Sequence, residues 1–252
     1  MSFGQPGRFY EKDGRNYPSV TTILGVINKP ALVGWAGRVE REAAIATFKA
    51  MVDDSRDDPM ALSAGALAEF ERRLEGMKAA QKAAEEAASI GKAVHAAVEA
   101  HLKGLPVPEF GRPEEENAFS SYLAWFRESD VSEVECEGVI YSDENRFAGR
   151  FDFKARVNGI RGVWDVKTSG AVYPEYDLQI GGYWGGSVEM GDDLTQGGIL
   201  RIPKAEGDAF QVKTYEMNDL TRNYMAFLHA ANLWKCLNPT WESGPKKRTK
   251  KA

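Results

Sequence analysis

The sequence predicts an α/β protein in which a long helical region precedes a β-sheet that alternates with two further helices. Two changes of pattern support this prediction. From Trp35 to about Lys103 the chain has helical character, and residues 79–100 include ten alanines, the strongest helix former. From Val134 the apolar residues recur at strand spacing. Asn158-Gly159 between two such runs indicates a hairpin, because a type I′ turn needs positive φ at both central positions.

The first half of the chain contains the predicted helices. Strand and turn signals at residues 8–20 come before them. Three helices are expected: Trp35 to about Val52, about Met60 to Lys103, and 114–128. The first is amphipathic and precedes a charged loop that ends at Pro59, the second stops at Gly104, and the third has an apolar face with Phe119.

The second half contains the predicted strands. We expect a three-stranded meander, then a helix, two strands and a closing helix: strands 134–142, 147–157 and 160–169, helix 174–188, strands near 195–202 and 210–215, and helix 218–237. No repeat or linker divides the chain before residue 240. The sequence therefore predicts a single domain over 1–240, with a helical part at about 31–130 and a sheet part at about 131–240, followed by a basic, disordered tail at 241–252.

Composition and charge exclude several classes of protein. The chain has 252 residues, of which 43% are apolar, enough for a sizeable core. Five basic residues against Glu242 give residues 239–252 a charge of +4, which leaves −9 for the rest. Such an acidic body disfavours broad, non-specific duplex binding, so a nucleic-acid site is expected to be a local groove or a metal-neutralised cleft. The tail is either a solubilising end or a nucleic-acid contact.

The lack of recognisable targeting signals and the cysteine usage predict a cytoplasmic protein. No apolar run approaches the roughly 18 residues of a membrane helix, and the N-terminus lacks the apolar segment of a signal peptide. We therefore expect no membrane partner. Cys136 and Cys236 lie 100 residues apart without CxxC spacing, which excludes a structural zinc site or a four-cysteine iron-sulfur cluster built by this chain alone.

Three charged residues of the meander suggest a chemistry. Asp152 is expected on the second strand, and Asp165 and Lys167 on the third, where i, i+2 spacing places both side chains on one face. Two carboxylates and an ammonium group suit metal-assisted phosphodiester hydrolysis, in which hard oxygen ligands hold Mg²⁺ or Mn²⁺ and the lysine orients water. The alternative is a solvated face of the sheet. The apolar neighbours of both aspartates favour a buried site instead.

These residues belong to an ordered set of motifs that resembles the RecB-type branch of the PD-(D/E)XK nucleases. That branch includes the mitochondrial genome maintenance exonuclease and phage-encoded exonucleases. The motifs are Gly91-Lys92-Ala93-Val94-His95, Gly149-Arg150-Phe151-Asp152, Asp165-Val166-Lys167 and Gln179-Ile180-Gly181-Gly182-Tyr183, and the opening Tyr17-Pro18-Ser19-Val20-Thr21-Thr22-Ile23-Leu24 is also similar. The resemblance implies a restriction-endonuclease-like core, with a central mixed sheet flanked by helices and an N-terminal helical region.

The resemblance also implies roles for individual residues. Asp152 and Asp165 would bind the metal with the carbonyl of Val166, and Lys167 would position the attacking water. His95 would be a further metal ligand, although a partly buried helix histidine is the alternative. Glu137 would be the additional catalytic acid, with Glu135 as the rival assignment. Substrate contacts are expected from five residues: Arg150, Thr168, Ser169, Gln179 and Tyr183.

The function implied is a Mg²⁺- or Mn²⁺-dependent deoxyribonuclease without an iron-sulfur cluster. We expect an exonuclease that acts on single-stranded DNA with a free end in replication, recombination or repair, in a bacterial or phage-infected cell, with a single-strand-binding or recombination protein as a partner. The helices between Trp35 and Lys103 would form an arch through which the strand threads. A structure-specific endonuclease or resolvase, an inactive DNA-binding module and a small-molecule hydrolase are the alternatives.

Overall fold

A computed structural model describes residues 7–54, 65–204 and 207–243. Its helices are α1 Val20–Ile23, α2 Pro30–Asp54, α3 Ala66–Leu74, α4 Ala79–Leu102, α5 Pro113–Glu128, α6 Pro174–Glu189 and α7 Met217–Leu237, with 3-10 turns at Leu24–Val26 and Trp241–Ser243. Its strands are β1 Phe9–Lys12, β2 Arg15–Pro18, β3 Val131–Cys136, β4 Val139–Ser142, β5 Phe147–Arg150, β6 Phe153–Val157, β7 Ile160–Lys167, β8 Gln196–Arg201 and β9 Gln211–Tyr215.

The chain divides into two compact units. One contains the residues up to Ile27 together with those from Ile90 onward, and the other contains residues 28–89. The second unit consists of α2, α3 and the first part of α4. Within it Phe48 and Phe70 meet edge to face at 5.9 Å, and Glu40 accepts a hydrogen bond of 3.0 Å from the Ala80 amide. None of the helices in the described ranges is long and apolar enough to cross a bilayer.

A mixed five-stranded sheet forms the centre of the first unit, so the protein is α/β as the sequence predicts. The strand order is β3-β6-β7-β8-β9, and only β7 and β8 run parallel, joined by the crossover through α6. Val163 and Ile199 pack on α6 and α7 on one face. Trp164, Val166 and Leu200 pack with α4 and α5 on the other.

Local sequence explains where several elements begin and turn. Ser19 accepts a 3.0 Å hydrogen bond from the Thr22 amide and caps α1. Proline occupies the first turn of both α5 and α6, where its missing N–H costs nothing. Asn158 and Gly159 have φ of 49° and 81° and connect β6 to β7, so the predicted hairpin is confirmed.

The predicted meander is wrong in one respect, because both of its first two strands are broken. The expected strand 134–142 divides at Glu137-Gly138, and the expected strand 147–157 divides at Phe151-Asp152. Glu137 adopts a positive φ of 55°, and the Phe151 ring fills the space where a Cβ of Gly138 would lie. As a result β3 pairs with β6 in the main sheet, whereas β4 pairs with β5 in a separate two-stranded sheet.

The predicted helical block from Met60 to Lys103 is also divided. Helix α3 ends at Leu74, Gly76 has a φ of +71°, and α4 begins at Ala79. A left-handed residue ends a helix because it turns the chain out of the helical path. Residues 60–64 lie outside the described ranges, as do residues 244–252 of the predicted basic tail. The predicted helices 174–188 and 218–237 and the last two strands are confirmed.

Helix α6 is held by tertiary contact rather than by its own propensity. It contains four glycines at 181, 182, 185 and 186, each costing about 1 kcal/mol relative to alanine in a helix interior. The backbone of α7 fills the space beside Gly181, where an added Cβ would lie 2.5 Å from the carbonyl carbon of Asn223. The glycines therefore allow α6 and α7 to approach backbone to backbone.

Replacement of Gly181 by alanine should destabilise the protein by roughly 2 kcal/mol or more, because the added methyl group meets backbone that cannot move aside. Gly37→Ala is the matched control, since Gly37 also lies in a helix but has open space at its Cβ position. That substitution should be neutral or stabilising by up to about 1 kcal/mol. Urea unfolding followed by circular dichroism measures both, and equal effects of the two substitutions would contradict this account of α6.

Candidate active site

Asp152 lies at the break between β5 and β6, not on a strand as the sequence predicted. Its Oδ2 accepts a hydrogen bond of 2.6 Å from the amide of Val166 on β7. The same oxygen lies 3.5 Å from Nδ1 of His95, which α4 brings to the site. The break thus turns the Asp152 carboxylate toward β7 and α4 at once.

Asp165 and Lys167 share one face of β7, as their i, i+2 spacing predicts. Lys167 Nζ lies 2.6 Å from Asp165 Oδ2, and the Asp165 side chain is only 5% exposed. That Oδ2 has the ion pair but no donor in hydrogen-bond geometry among the described residues. One oxygen of a buried carboxylate is therefore left with capacity to bind another group.

Helix α6 supplies the other partner of Asp165. Gln179 Nε2 donates to Asp165 Oδ1 at 3.1 Å and to the Tyr183 hydroxyl at 2.9 Å. Gln179 and Tyr183 are one turn apart on the same helix face, as the motif spacing predicts. The Tyr183 ring fills the space beside Gly149, where a Cβ would lie 2.7 Å away. The chain Tyr183–Gln179–Asp165–Lys167 is thus continuous and largely buried.

Burial and charge set the protonation of this group. Burial raises the pKa of Asp165 to about 6, the charge of Asp152 adds to the rise, and Lys167 opposes it. Burial alone would raise the pKa of Asp152 as well, but His95 and Lys167 outweigh it and hold that pKa below its usual range. The Asp152 carboxyl is therefore ionised readily, whereas ionisation of the neighbouring Asp165 carboxyl costs free energy.

The two basic groups respond in the opposite way. Burial alone would lower the pKa of His95, but the hydrogen bond and charge of Asp152 outweigh it and raise that pKa. The same competition holds for Lys167, whose pKa is raised because Asp165 outweighs burial. Both basic groups therefore favour their charged forms in the protein without a metal.

The residues present fit a divalent metal by the type of their donors. Asp165 Oδ2 has only the Lys167 ammonium group as a polar partner among the described residues. The Asp152 carboxylate binds the amide next to Asp165 and lies 3.5 Å from the His95 ring, so oxygen and imidazole ligands are at hand. No group of three or more His, Cys, Asp and Glu side chains is already arranged around a single point in the described residues. Bringing these donors onto one cation would require Lys167 to yield its place at Asp165.

Glu137 lies after the end of β3, not on the strand where the sequence places it. Its amide donates to the Asp152 carbonyl at 2.8 Å, and its carboxylate forms an ion pair with Arg150. Glu137 lines one cleft with His95 and Asp152. Glu135, the rival assignment, instead lies 4.0 Å from the buried Lys154 ammonium group and does not line that cleft.

The remaining predicted substrate contacts lie just beyond β7. Thr168 packs against α4, because a Cβ on Gly91 would lie 2.9 Å from its Oγ1. The space left by Gly91 thus accommodates Thr168. Ser169 donates from its hydroxyl to the Ala171 carbonyl at 2.7 Å, and its own carbonyl accepts from Arg201 at 2.9 Å. Both polar groups of Ser169 therefore stabilise the loop that follows β7.

Two residues beside the site were missed by sequence reasoning. Glu99 lines the same cleft as His95 and forms an ion pair with Lys103. It lies four residues after His95, so helix periodicity would have placed both on one face. Tyr176 is the second residue, since Lys167 Nζ lies 4.8 Å from the centre of its ring. Its position three residues before Gln179 on α6 is the corresponding signal.

Comparisons with known proteins add little to this geometry. The sequence matches no protein-family model, and no curated protein matches it. Among solved structures twelve chains match. One is the crystal structure of SSO0001, with a TM-score of 0.30 and 15% identity over 45% of this chain and 52% of that chain. The protein thus spans about half the length of that neighbour, and likeness at this level assigns neither a family nor an activity.

Asp165→Asn should stabilise the metal-free protein at pH 8, because the carboxylate is buried at a cost that a neutral amide avoids. Below pH 3.8 the carboxyl is protonated in both the folded and the unfolded state. As the pH rises from 3.8 to about 6 the unfolded state loses the proton first, so the parent loses stability, and the full penalty remains above that window. We expect the advantage of the variant to be larger at pH 8 than at pH 4 by roughly 1–3 kcal/mol.

Urea unfolding in EDTA at a series of pH values measures this difference. Asp208→Asn is the control of opposite sign, because the hydrogen bond with Arg201 lowers the pKa of Asp208 below 3.8. That variant should be less stable than the parent at pH 8, and its deficit should shrink as the pH falls below 3.8. A variant at Asp165 that is less stable than the parent at pH 8 would refute the assignment of a raised pKa.

Proposed function

We propose that the protein is a metal-dependent nuclease of the RecB-type branch of the PD-(D/E)XK superfamily, acting as an exonuclease on single-stranded DNA. The observation that supports this best is the group formed by Asp152, Asp165 and Lys167. Asp152 is bonded to the amide between the other two, and Asp165 contacts Lys167 and Gln179. Three of the motifs that resemble the family in sequence are therefore neighbours in space, and this proximity supports the proposal.

The fold is compatible with the proposed core. The sheet is mixed, with β7 and β8 parallel, and helices flank both of its faces, as the resemblance in sequence leads us to expect of the core. Asp165 and Lys167 lie near the carboxyl end of β7, where loops and helix ends leave room for a substrate. The preference for DNA and for a free single-stranded end comes from the resemblance in sequence.

A divalent metal held by Asp152, Asp165, the Val166 carbonyl and His95 would supply positive charge for the scissile phosphate and for its attacking water. Lys167, which is paired with Asp165 in the centre, would donate an N–H to the water that attacks phosphorus. Gln179 holds Asp165 through Oδ1, so that Oδ2 would be open to a cation once Lys167 yields its place there. Tyr183 in turn fixes Gln179. In-line attack would leave a 5′-phosphate and a 3′-hydroxyl.

A non-enzymatic module is less consistent with these contacts. The Asp165 carboxylate, whose pKa burial raises to about 6, lowers the stability of the fold above that pH without a ligand. A protein that only bound DNA would gain nothing from carrying such a group. A buried carboxylate next to a lysine is what a phosphodiester-cleaving centre requires.

Lys167→Ala and Asp165→Ala should each lower the rate of cleavage of an end-labelled, linear single strand by about 10²-fold or more in Mg²⁺ or Mn²⁺. The parent should be inactive in EDTA. Lys213→Ala is the matched control, since Lys213 is a half-exposed lysine paired with Asp177 on β9 and α6. It should cleave within about twofold of the parent. Parent-like rates for both site variants would show that the centre has been misassigned.

A linear single strand should be degraded, whereas a closed circle of the same sequence should survive, because an exonuclease needs a free end. Denaturing gels of equal amounts of both substrates, digested with the same enzyme in Mn²⁺, measure this. The parent with Mn²⁺ replaced by EDTA is the control for contaminating nucleases. Equal cleavage of the circle would indicate an endonuclease on the same centre and would exclude threading from an end.

A further inference from the structure

The N-terminal hairpin carries an exposed arginine that lies over an aromatic ring. Arg8 directly precedes β1 and is exposed, and its guanidinium carbon lies 4.9 Å from the centre of the Tyr10 ring. Among the described residues Arg8 has no carboxylate partner. Its neighbour on the same face of β1, Lys12, is paired with Asp143 at 2.6 Å. The outer end of this face is therefore cationic in a protein whose net charge is negative.

Packing and strand pairing connect this arginine to the candidate active site. Tyr10 packs on Tyr141 of β4 at 6.2 Å, and β4 pairs with β5, which ends at Arg150. Arg150 forms an ion pair with Glu137, which lines the cleft with His95 and Asp152. Burial raises the pKa of Tyr10, and the charges of Arg8 and Arg150 oppose that rise, in keeping with this placement. Arg8, Tyr10 and Arg150 therefore form one group at the edge of the site. We call this group the hairpin rim.

Backbone contacts hold the rim in place. The Arg8 carbonyl accepts hydrogen bonds from the Ser19 amide at 2.9 Å and from the Thr22 hydroxyl at 3.1 Å. Ser19 also forms a β-bridge with Ala148 on β5, the strand that ends at Arg150. The hairpin and β5 are thus tied together two residues before Arg150. A ligand that binds there meets a surface already formed.

Part of this surface has a purely structural role. Tyr10 packs edge to face on Tyr141 at 6.2 Å, and Tyr17 packs on the same ring at 5.4 Å. These contacts explain why tyrosines occupy the inner part of the hairpin. They do not explain the position of Arg8 over an aromatic ring, since in the described part of the chain it pairs with no carboxylate. Guanidinium groups beside partly exposed aromatic rings are typical of surfaces that bind single-stranded nucleic acid.

We propose that Arg8, Tyr10 and Arg150 form a nucleotide subsite for single-stranded DNA next to the catalytic centre. Arg8 contacts a phosphate, Tyr10 packs on a base of the strand, and Arg150 contacts a second phosphate while it remains paired with Glu137. This inference rests on the proposed nuclease function and extends it, because Arg8 and Tyr10 belong to none of the sequence motifs. A strand with exposed bases fits this subsite, whereas duplex DNA offers only its phosphates.

Binding of labelled oligonucleotides to the full chain tests the subsite. We would follow fluorescence anisotropy in Ca²⁺ with two strands, a thymidine oligonucleotide and the same length with abasic residues. The parent should bind the abasic strand about fivefold or more weakly, because base stacking is lost. In Tyr10→Leu that penalty should fall below about twofold. Arg8→Ala should raise the Kd about threefold to tenfold and reduce the slope of log Kd against log salt by about 0.7, whereas Arg8→Lys should retain the slope.

Arg15→Ala is the matched control, because it removes an exposed arginine from β2 of the same hairpin. It should bind within about twofold of the parent, with melting temperatures showing that every variant is folded. Three results would each overturn the subsite: an equal loss of affinity in Arg15→Ala, parent-like binding by Arg8→Ala, or an unchanged abasic penalty in Tyr10→Leu. The proposed nuclease function would still stand in these cases if the parent cleaved DNA. If the parent neither bound nor cut any strand, the proposed function would fail and the subsite with it.

Discussion

The hydrogen bond from the Val166 amide to the Asp152 carboxylate joins the two parts of the chain on which the candidate site depends. Asp152 comes from a break between two strands, and Val166 lies between Asp165 and Lys167 on β7. A peptide N–H at the centre of a sheet has a fixed direction, so this bond fixes the carboxylate relative to the neighbouring acid and lysine. Without it the break would leave Asp152 free to turn toward solvent.

The second constraint is electrostatic. Asp165 lies in the interior with its pKa raised to about 6, and the protein offsets the cost only in part with Lys167 and Gln179. Glu137 and Glu99, which line the adjoining cleft, are each paired with a cation, Arg150 and Lys103 respectively. The uncompensated charge is thus concentrated at one carboxylate. Groups held at an energetic cost in this way are common at functional sites.

Much of the fold could be predicted from local pattern, but the site could be predicted only in part. Asn158-Gly159 specifies its hairpin because both residues accept positive φ, and the i, i+2 spacing of Asp165 and Lys167 specifies their common face. The breaks at Glu137 and Asp152 arise from contacts between segments distant in sequence, such as the Phe151 ring beside Gly138. No periodicity signals a contact of that kind. For the same reason the β-bridge of Ser19 to Ala148, which brings the N-terminal hairpin to β5, could not be anticipated.

Helix α6 has a consequence for how the chain can be shortened or fused. Gly181, two residues after Gln179, meets the backbone of α7 with no side chain between them. Helix α7 therefore supports α6 from behind and fixes the position of the Gln179 amide relative to Asp165. Tags or fusion partners placed after Leu237 leave that support in place. Deletions that reach Asn223 would remove the part of α7 on which α6 packs, and with it the support for Gln179.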